Sequence, residues 1–581
     1  MTPLLLALAL QTAVPDSAAA RLHTVLDSAW QRLMVEFPEW ATTAGFPGQN
    51  RRWTDYSPDG FQRRRRLWSE VLRELAAVPR AALNETDQLS YDVAQDFFTT
   101  LQSQPTRDHA TLGYGYTPVT QVDGAHIDVA QIIPQMPARS VADYEDIVAR
   151  LRAVPQLVDG LVQTLGADLA AGVTLPRIIL RDVPGQIRAI AVDDATSPLL
   201  EPFGELPRDM PAAEQERLRR AARAAIHEAA APALTRLLTF IEQRYLPGAR
   251  PTIALSALPD GAGWYARQIR KHTTTALSAA EIHQIGLREV RRLRAEMDSL
   301  MKVAGFQGTL AEFGAFLRSD PRFFLPDAAS LVRAYRDIAK RADPELVKLF
   351  GRLPRLPYGV SPVPAFFEKS TTTAYYQPGS PRAGRAGVYF VNTYDLKSRP
   401  TWEMEALTMH EAVPGHHLQF ALAQELEGVP ELRRQLGYNA YVEGWALYAE
   451  TLGSEMGFYR DPYSRFGAAT YQIWRAIRLV IDTGIHAMGW TRDQAIAYFT
   501  DNSTKPEHDI AVEVDRYIAW PGQALGYMLG ALRIRELRDR AQQQLGARFD
   551  VRAFHDEVLG QGALPLELLQ RRVDAWLRAR R

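Results

Sequence analysis

Apolar residues recur three and four positions apart along most of this chain, the spacing that gives a helix one buried stripe. Between Ser278 and Met301 the pattern is complete. Ser278 is suited to cap a helix, Glu281 stands three residues on at the capping-box spacing, and Ile282, Ile285, Val290, Leu293 and Met297 follow in helical register. Ala138 to Gly172 gives two amphipathic segments split at Pro155, and Leu206 to Tyr245 gives two more with Pro232 at the junction. The pattern changes between Leu353 and Asn392, where LPRLPYGVSPVP and TTTAYYQPGSPRAGRAGVYFVN mix Pro and Gly with β-branched and aromatic residues. That composition predicts a small set of strands joined by turns. From Pro400 onward the helical spacing returns, with Pro or Gly breaks near 414, 462 and 521. No repeat of fixed period is present. These patterns predict a mainly α protein of two helical lobes, residues 20–352 and 353–581, with one small sheet beside the chemically loaded segment. The second lobe divides into strands (353–392), helices at 400–460 and C-terminal helices at 461–581.

Composition narrows the function. Lys plus Arg and Asp plus Glu each number 67, a formal net charge of zero, so nucleic acid is not expected as a partner. The chain has no cysteine, which excludes disulfides, cysteine-ligated zinc, iron–sulfur clusters and a cysteine nucleophile. Any metal must be held by His, Asp or Glu. No G-x-S-x-G elbow or phosphate-binding loop motif occurs. Near the start, PLLLALAL (Pro3 to Leu10) is an apolar run of export-signal length, without the basic residue that normally precedes one. Residues 1–19 are read as an export signal and the protein as periplasmic or extracellular. The alternative is a short apolar arm packed on the body of a cytoplasmic chain. No other stretch reaches the roughly 18 apolar residues of a membrane helix, so no integral membrane segment is expected.

The chain holds 12 histidines, and three of them, His410, His416 and His417, fall in MHEAVPGHHLQ. Imidazole is the most frequent side-chain metal ligand. The familiar zinc-hydrolase helix is H-E-x-x-H, with two histidines on one face and the Glu as general base. Here His410 and Glu411 supply the first two letters, but position 414 is Pro and the next His is six residues on. An unbroken helix would carry that residue about 240° around and roughly 9 Å along the axis. Two imidazoles on one zinc need nitrogens about 3.3 Å apart. Pro414-Gly415 can break the ladder and absorb two extra residues, which brings His416 to the second ligand position; His417 is the rival. A third ligand is expected from YVEGWALYAE, where Glu443 follows His416 by 27 residues, room for a return helix. Glu450, seven residues further and on the same face, could back up a ligand or orient a histidine.

HEAVPGHHLQ followed by EGWALYAE resembles the signature HEAxPGHHLQ of a bacterial family known as a domain of unknown function, which is similar to the zincin-like peptidases. TAYYQPGSPRAGRAGVYFVNT, RLVIDTGIHAMGW and EVDRYIAWPGQALGYMLG extend the resemblance over most of residues 20–560. Thimet-type oligopeptidases, with H-E-x-G-H and a downstream Glu, are the nearest characterised pattern; this chain has two additional residues between HE and GH. The resemblance implies a zincin-like body, one Zn2+ per chain on His410, His416 and Glu443, and Glu411 as base. It also implies a donor for the developing oxyanion; Tyr527 matches by position, and His486 is the other candidate. Arg478, Asp482 and His486 are spaced i, i+4, i+8, which also suits a helix salt bridge with a satisfied His. Arg516 could clamp a substrate carboxylate or pair with Glu513; Tyr517 lies beside it. Tyr375 and Tyr376, on the strand before the metal helix, could flank an extended peptide bound by β-addition. The expected activity is zinc-dependent hydrolysis of peptide or small amide bonds. The alternatives are a metal- or substrate-binding protein without turnover and a hydrolase of nonpeptide amides.

Overall fold

Helices form where the apolar stripe predicts them. The structure is a computed structural model that describes residues 17–105, 117–364, 368 and 372–580. The segment from Ser278 is helix α1 (Ala279–Val303), and both capping-box bonds are made: Ser278 Oγ accepts from Glu281 N–H, and Glu281 accepts from Ser278 N–H. Ile282, Val290, Leu293 and Met297 are buried. Ala138 to Gly172 folds as two helices, Val141–Arg152 and Val154–Ala170, with Pro155 in the first turn of the second, where its missing N–H would have had no partner anyway.

The split expected at Pro232 does not occur. The helix runs on from Ala212 to Gly248 through two widened π turns, Ile226–Ala230 and Ile241–Tyr245, each followed closely by a proline, Pro232 and Pro247. A π turn shifts hydrogen bonding to i→i+5 and moves the carbonyl away from the proline ring that would otherwise break the helix.

The Pro- and Gly-rich stretch forms a three-stranded sheet of β1 (Tyr358–Pro362), β2 (Ala374–Gln377) and β3 (Gly387–Val391) in the order β1-β3-β2. β3 is parallel to β1 and antiparallel to β2, with Tyr375 opposite Phe390 and Tyr376 opposite Tyr389. β2 is an edge strand: among the described residues no strand pairs with its other side.

Six more helices carry the site: α2 (Met404–Glu411), α3 (His416–Gln424), α4 (Asn439–Leu452), α5 (Pro462–Met488), α6 (Glu507–Ala519) and α7 (Leu525–Leu545). β2 packs against α2, α1 lies along α5, and α4 lies along α7. The α4–α7 crossing is close because both helices present glycine there: a Cβ on Gly444 would fall 2.4 Å from the Gly530 Cα, and one on Gly530 would fall 1.8 Å from the Ala440 carbonyl oxygen. Buried side chains from Leu22 to Leu577 form one connected apolar core through both halves of the chain. The apolar run read as an export signal lies outside the described residues. Among those described, no helix is long and apolar enough to cross a membrane.

Candidate metal centre

α2 ends at Glu411, the chain turns through residues 412–415 with a cis Val413–Pro414 peptide, and helix resumes at His416. Gly415 is required at this turn. A Cβ there would lie 1.9 Å from the His410 carbonyl oxygen and 2.4 Å from that of Met409. The turn is held from outside by Trp445 of α4, whose Nε1 donates to the Pro414 carbonyl at 2.8 Å. The break thus does what an unbroken helix cannot: it sets the His410 and His416 rings 4.8 Å apart and nearly perpendicular.

Glu443, one residue before the Gly444 crossing point, reaches both rings. Its Oε2 lies 3.6 Å from His410 Nε2 and 3.4 Å from His416 Nε2, and ligand atoms of the three residues all fall within 4.8 Å of one another. These separations are close to the roughly 3.3 Å expected between ligand atoms on one tetrahedral zinc. Glu443 Oε2 is buried and has no hydrogen-bond partner. Such an atom is costly to bury unless a cation faces it. The three residues therefore fit a metal ion. His410 is oriented for that role by Glu450, whose Oε1 accepts from its Nδ1 at 2.8 Å. Glu450 is in turn held by Gln472 Nε2 at 3.1 Å and by Arg475 at 3.7 Å. The electrostatics show how much the cluster favours positive charge. Burial opposes a charged His410, yet Glu443 and Glu450 push its pKa up to about 9. Burial likewise opposes a charged Glu443, but His410 and His416 hold it well below the usual carboxylate range.

Glu411 is mostly buried beside the cluster, at 8% exposure, and no hydrogen bond or ion pair engages its carboxylate among the described residues. The ring of Tyr527 on α7 is near-parallel to that of His410, at 6.4 Å between centroids. Its hydroxyl accepts from Arg516 at 3.1 Å, and the Arg478 guanidinium lies 4.4 Å from its ring centre.

Other sequence candidates lie elsewhere. His417 turns toward the sheet: its Nδ1 meets the Tyr376 hydroxyl at 2.9 Å, its ring packs 4.4 Å from Tyr358, and burial lowers it to about 4. It is not part of the His410–His416–Glu443 group. Tyr376 thereby supports His417 from the sheet and stays half-buried. Tyr375, on the opposite face of β2, stacks on Phe390 at 5.0 Å and stays half-buried. For His486 the structure corrects the expectation. It is fully buried, its Nδ1 accepts from Leu255 N–H at 3.0 Å, and its Nε2 donates to the Tyr517 carbonyl at 2.9 Å. With both ring nitrogens engaged and burial lowering it to about 4, it is a neutral structural clamp. Tyr517 cannot meet a substrate, because its buried hydroxyl donates to Glu513 at 2.8 Å and accepts from Trp474 and Arg478, both at 3.1 Å. Arg516 does pair with Glu513, at 3.3 Å, and its other terminal nitrogen donates to Gln523 and Tyr527, which leaves Nε and one Nη1 proton for a further acceptor.

Sequence reasoning missed Gln472 and Arg475, which hold Glu450, and Arg478 as a neighbour of Tyr527. The available clue was charged and amide side chains inside YQIWRAIRLVIDTG, a stretch otherwise apolar enough to be buried on all sides.

The fold and site define a mainly helical protein with a buried His₂Glu cluster at a helix break. The chain belongs to the family described as bacterial protein of unknown function (DUF885), whose model matches residues 38–573. No curated protein matches it. It is similar to two solved structures described as putative lipoproteins. One, from Colwellia psychrerythraea, is 28% identical with a TM-score of 0.93 over 97% of this chain and 100% of the other. The second, from Shewanella oneidensis and of unknown function, is 17% identical with a TM-score of 0.69 over 95% and 99%, a likeness of fold alone.

Proposed function

We propose that this chain is a zinc-dependent hydrolase of peptide or small amide bonds, with His410, His416 and Glu443 as the metal ligands. The observation that carries the reading is the orphaned Glu443 oxygen facing two imidazole nitrogens at ligand spacing. The motif's similarity to zincin-like peptidases points the same way. When bound, zinc would supply Lewis acidity toward a carbonyl oxygen and a water.

The chain's own residues do the rest. Glu411 carries a carboxylate without a protein partner next to His410, so it can take the proton of the attacking water and return it to the departing amine. Tyr527 accepts from Arg516 and keeps its own O–H to donate to the carbonyl oxygen as charge develops. Glu450 fixes the His410 ring, with Gln472 and Arg475 fixing Glu450. The edge of β2, unpaired among the described residues and packed on α2, can align an extended peptide through main-chain hydrogen bonds, with Tyr375 on the face away from Tyr376. An exported location is supported by the apolar run at the start of the chain and by the likeness to proteins described as lipoproteins.

The test is metal analysis of the purified chain, followed by digestion of a peptide library read by mass spectrometry. Zinc at about one per chain with cleavage that disappears in Glu411→Gln supports the reading. A chain that holds zinc and cleaves nothing is a binding protein, and the proposal fails.

A further inference from the structure

Behind Tyr527 two arginines share one carboxylate. Lys505 pairs with Glu403 at 2.8 Å and Arg475 approaches Glu450 at 3.7 Å, while Arg478 and Arg516 share Glu513 at 2.9 and 3.3 Å. Lys505 and Arg475 thus have one carboxylate each, whereas Arg478 and Arg516 are two cations on a single one. Both arginines also keep unused donors. A guanidinium has five N–H groups. Arg478 engages two, toward Tyr517 and Glu513, and its Nη1 is buried with no partner. Arg516 engages three, toward Glu513, Gln523 and Tyr527, and its Nε is buried with no partner. Buried cations with unmatched donors are unfavourable in the free protein and are satisfied by an anion. Glu513 is the pair's shared carboxylate, and they hold it down at about 2 against the effect of burial, so it stays charged and occupied.

The place of this excess matters. Arg478 lies against the face of Tyr527, Arg516 is bonded to its hydroxyl, and Tyr527 lies along His410. The Arg516 side chain is 19% exposed and stands 5.1 Å from the Trp520 ring, so a ligand can reach this pair from solvent. An extended chain advances about 3.3–3.6 Å per residue, so an anion held here ends within a few residues of the metal cluster.

We infer that Arg516, backed by Arg478, binds a carboxylate of the substrate, and that this carboxylate is the free C-terminus of a peptide or acyl-amino acid cut near that end. The inference rests on the hydrolase reading for its use of the word substrate, but the site itself does not require turnover. Recognition of an amide or an ester end would leave the excess charge unanswered, whereas a carboxylate matches both the charge and the planar guanidinium donors.

The experiment uses the full chain stripped of metal with a chelator, so that neither cleavage nor metal ligation enters the readout. Titration calorimetry compares N-acetyl-dialanine as the free acid, the same peptide as its C-terminal amide, and N-acetyl-alanyl-glutamic acid α-amide, whose only free carboxylate is on the side chain. The free acid is expected to bind roughly 10- to 100-fold tighter than the amide. In Arg516→Gln that preference is expected to fall to within about threefold. Arg478 still pairs with Glu513 in this variant, so the buried carboxylate keeps a partner; the wild-type comparison decides the matter even if the variant fails to fold. Equal affinity for acid and amide, or no measurable binding of either, overturns the inference. So does an acid preference that survives in a folded Arg516→Gln. If only the glutamate peptide matches the acid, the carboxylate site stands and the C-terminal assignment falls. An acid preference in a protein that cleaves no peptide would remove the hydrolase reading and leave this site in place.

Discussion

His416 and His486 are both buried histidines on helices in the C-terminal half of the chain, and they have opposite fates. His486 sits inside the unbroken α5, where neighbouring backbone supplies a donor to one ring nitrogen and an acceptor to the other. His416 opens α3 just after a turn. Its Nδ1 has no partner, and its Nε2 faces a carboxylate oxygen that has none either. The difference teaches that a candidate metal ligand is marked by what its polar atoms lack. Histidine density singles out His416 and helix-face spacing singles out His486, and neither signal shows which ring nitrogens are left without partners.

The comparison can be broken at its strongest point first. His410→Ala, His416→Ala and Glu443→Ala should each reduce bound zinc from about one per chain to near zero, by elemental analysis, while His486→Ala should keep it. Full occupancy in any of the three ligand variants would remove that residue from the site. Glu411→Gln keeps the shape of the side chain without its basicity; zinc should stay while hydrolysis falls by roughly 10²–10⁴. Loss of zinc in that variant would instead make Glu411 a ligand.

Next comes stability. His486→Ala leaves the Leu255 N–H and the Tyr517 carbonyl buried without partners and opens a cavity, so unfolding free energy should drop by about 2–5 kcal/mol in denaturant titration. Its pH dependence sharpens the point. The folded pKa of His486 is about 4, below the roughly 6.5 of an unfolded histidine, so its contribution is complete above pH 6.5 and is lost as pH falls toward 4. The stability gap between wild type and His486→Gln should therefore shrink by about 3 kcal/mol over that range. A gap that does not change with pH would mean that His486 is not held neutral. The smallest effect belongs to His417→Ala, which loses its contact with Tyr376. A cost of about 1–2 kcal/mol with zinc retained is expected, and zinc loss would show that the turn delivers the wrong histidine.

Much of this was legible in the residues. The period of the apolar positions located α1 and its cap, and Pro414-Gly415 pointed to the interruption that makes two distant histidines neighbours. What stayed hidden was pairing across long separations. Nothing local to His486 reveals that Leu255, 231 residues away, faces its ring. His416 and His417 are adjacent in sequence, and only Tyr376 and Tyr358 of the sheet show which of them turns away. Pro232 misled because a proline can be accommodated by widening one turn instead of ending the helix, and the pattern of apolar residues is nearly the same in both cases.

The glycine crossing of α4 and α7 has a mechanical meaning. Glu443 is one residue from Gly444, and Tyr527 is one turn from Gly530, so the proposed ligand and the proposed donor ride on two rods that touch backbone to backbone. Side chains between rods can rotate or repack, and such a joint has slack; main chain against main chain has almost none. The gap across the site is therefore gauged by two hydrogen atoms where side chains would otherwise stand, and one methyl group at either position would act as a shim, spreading the jaws without touching any residue that lines them.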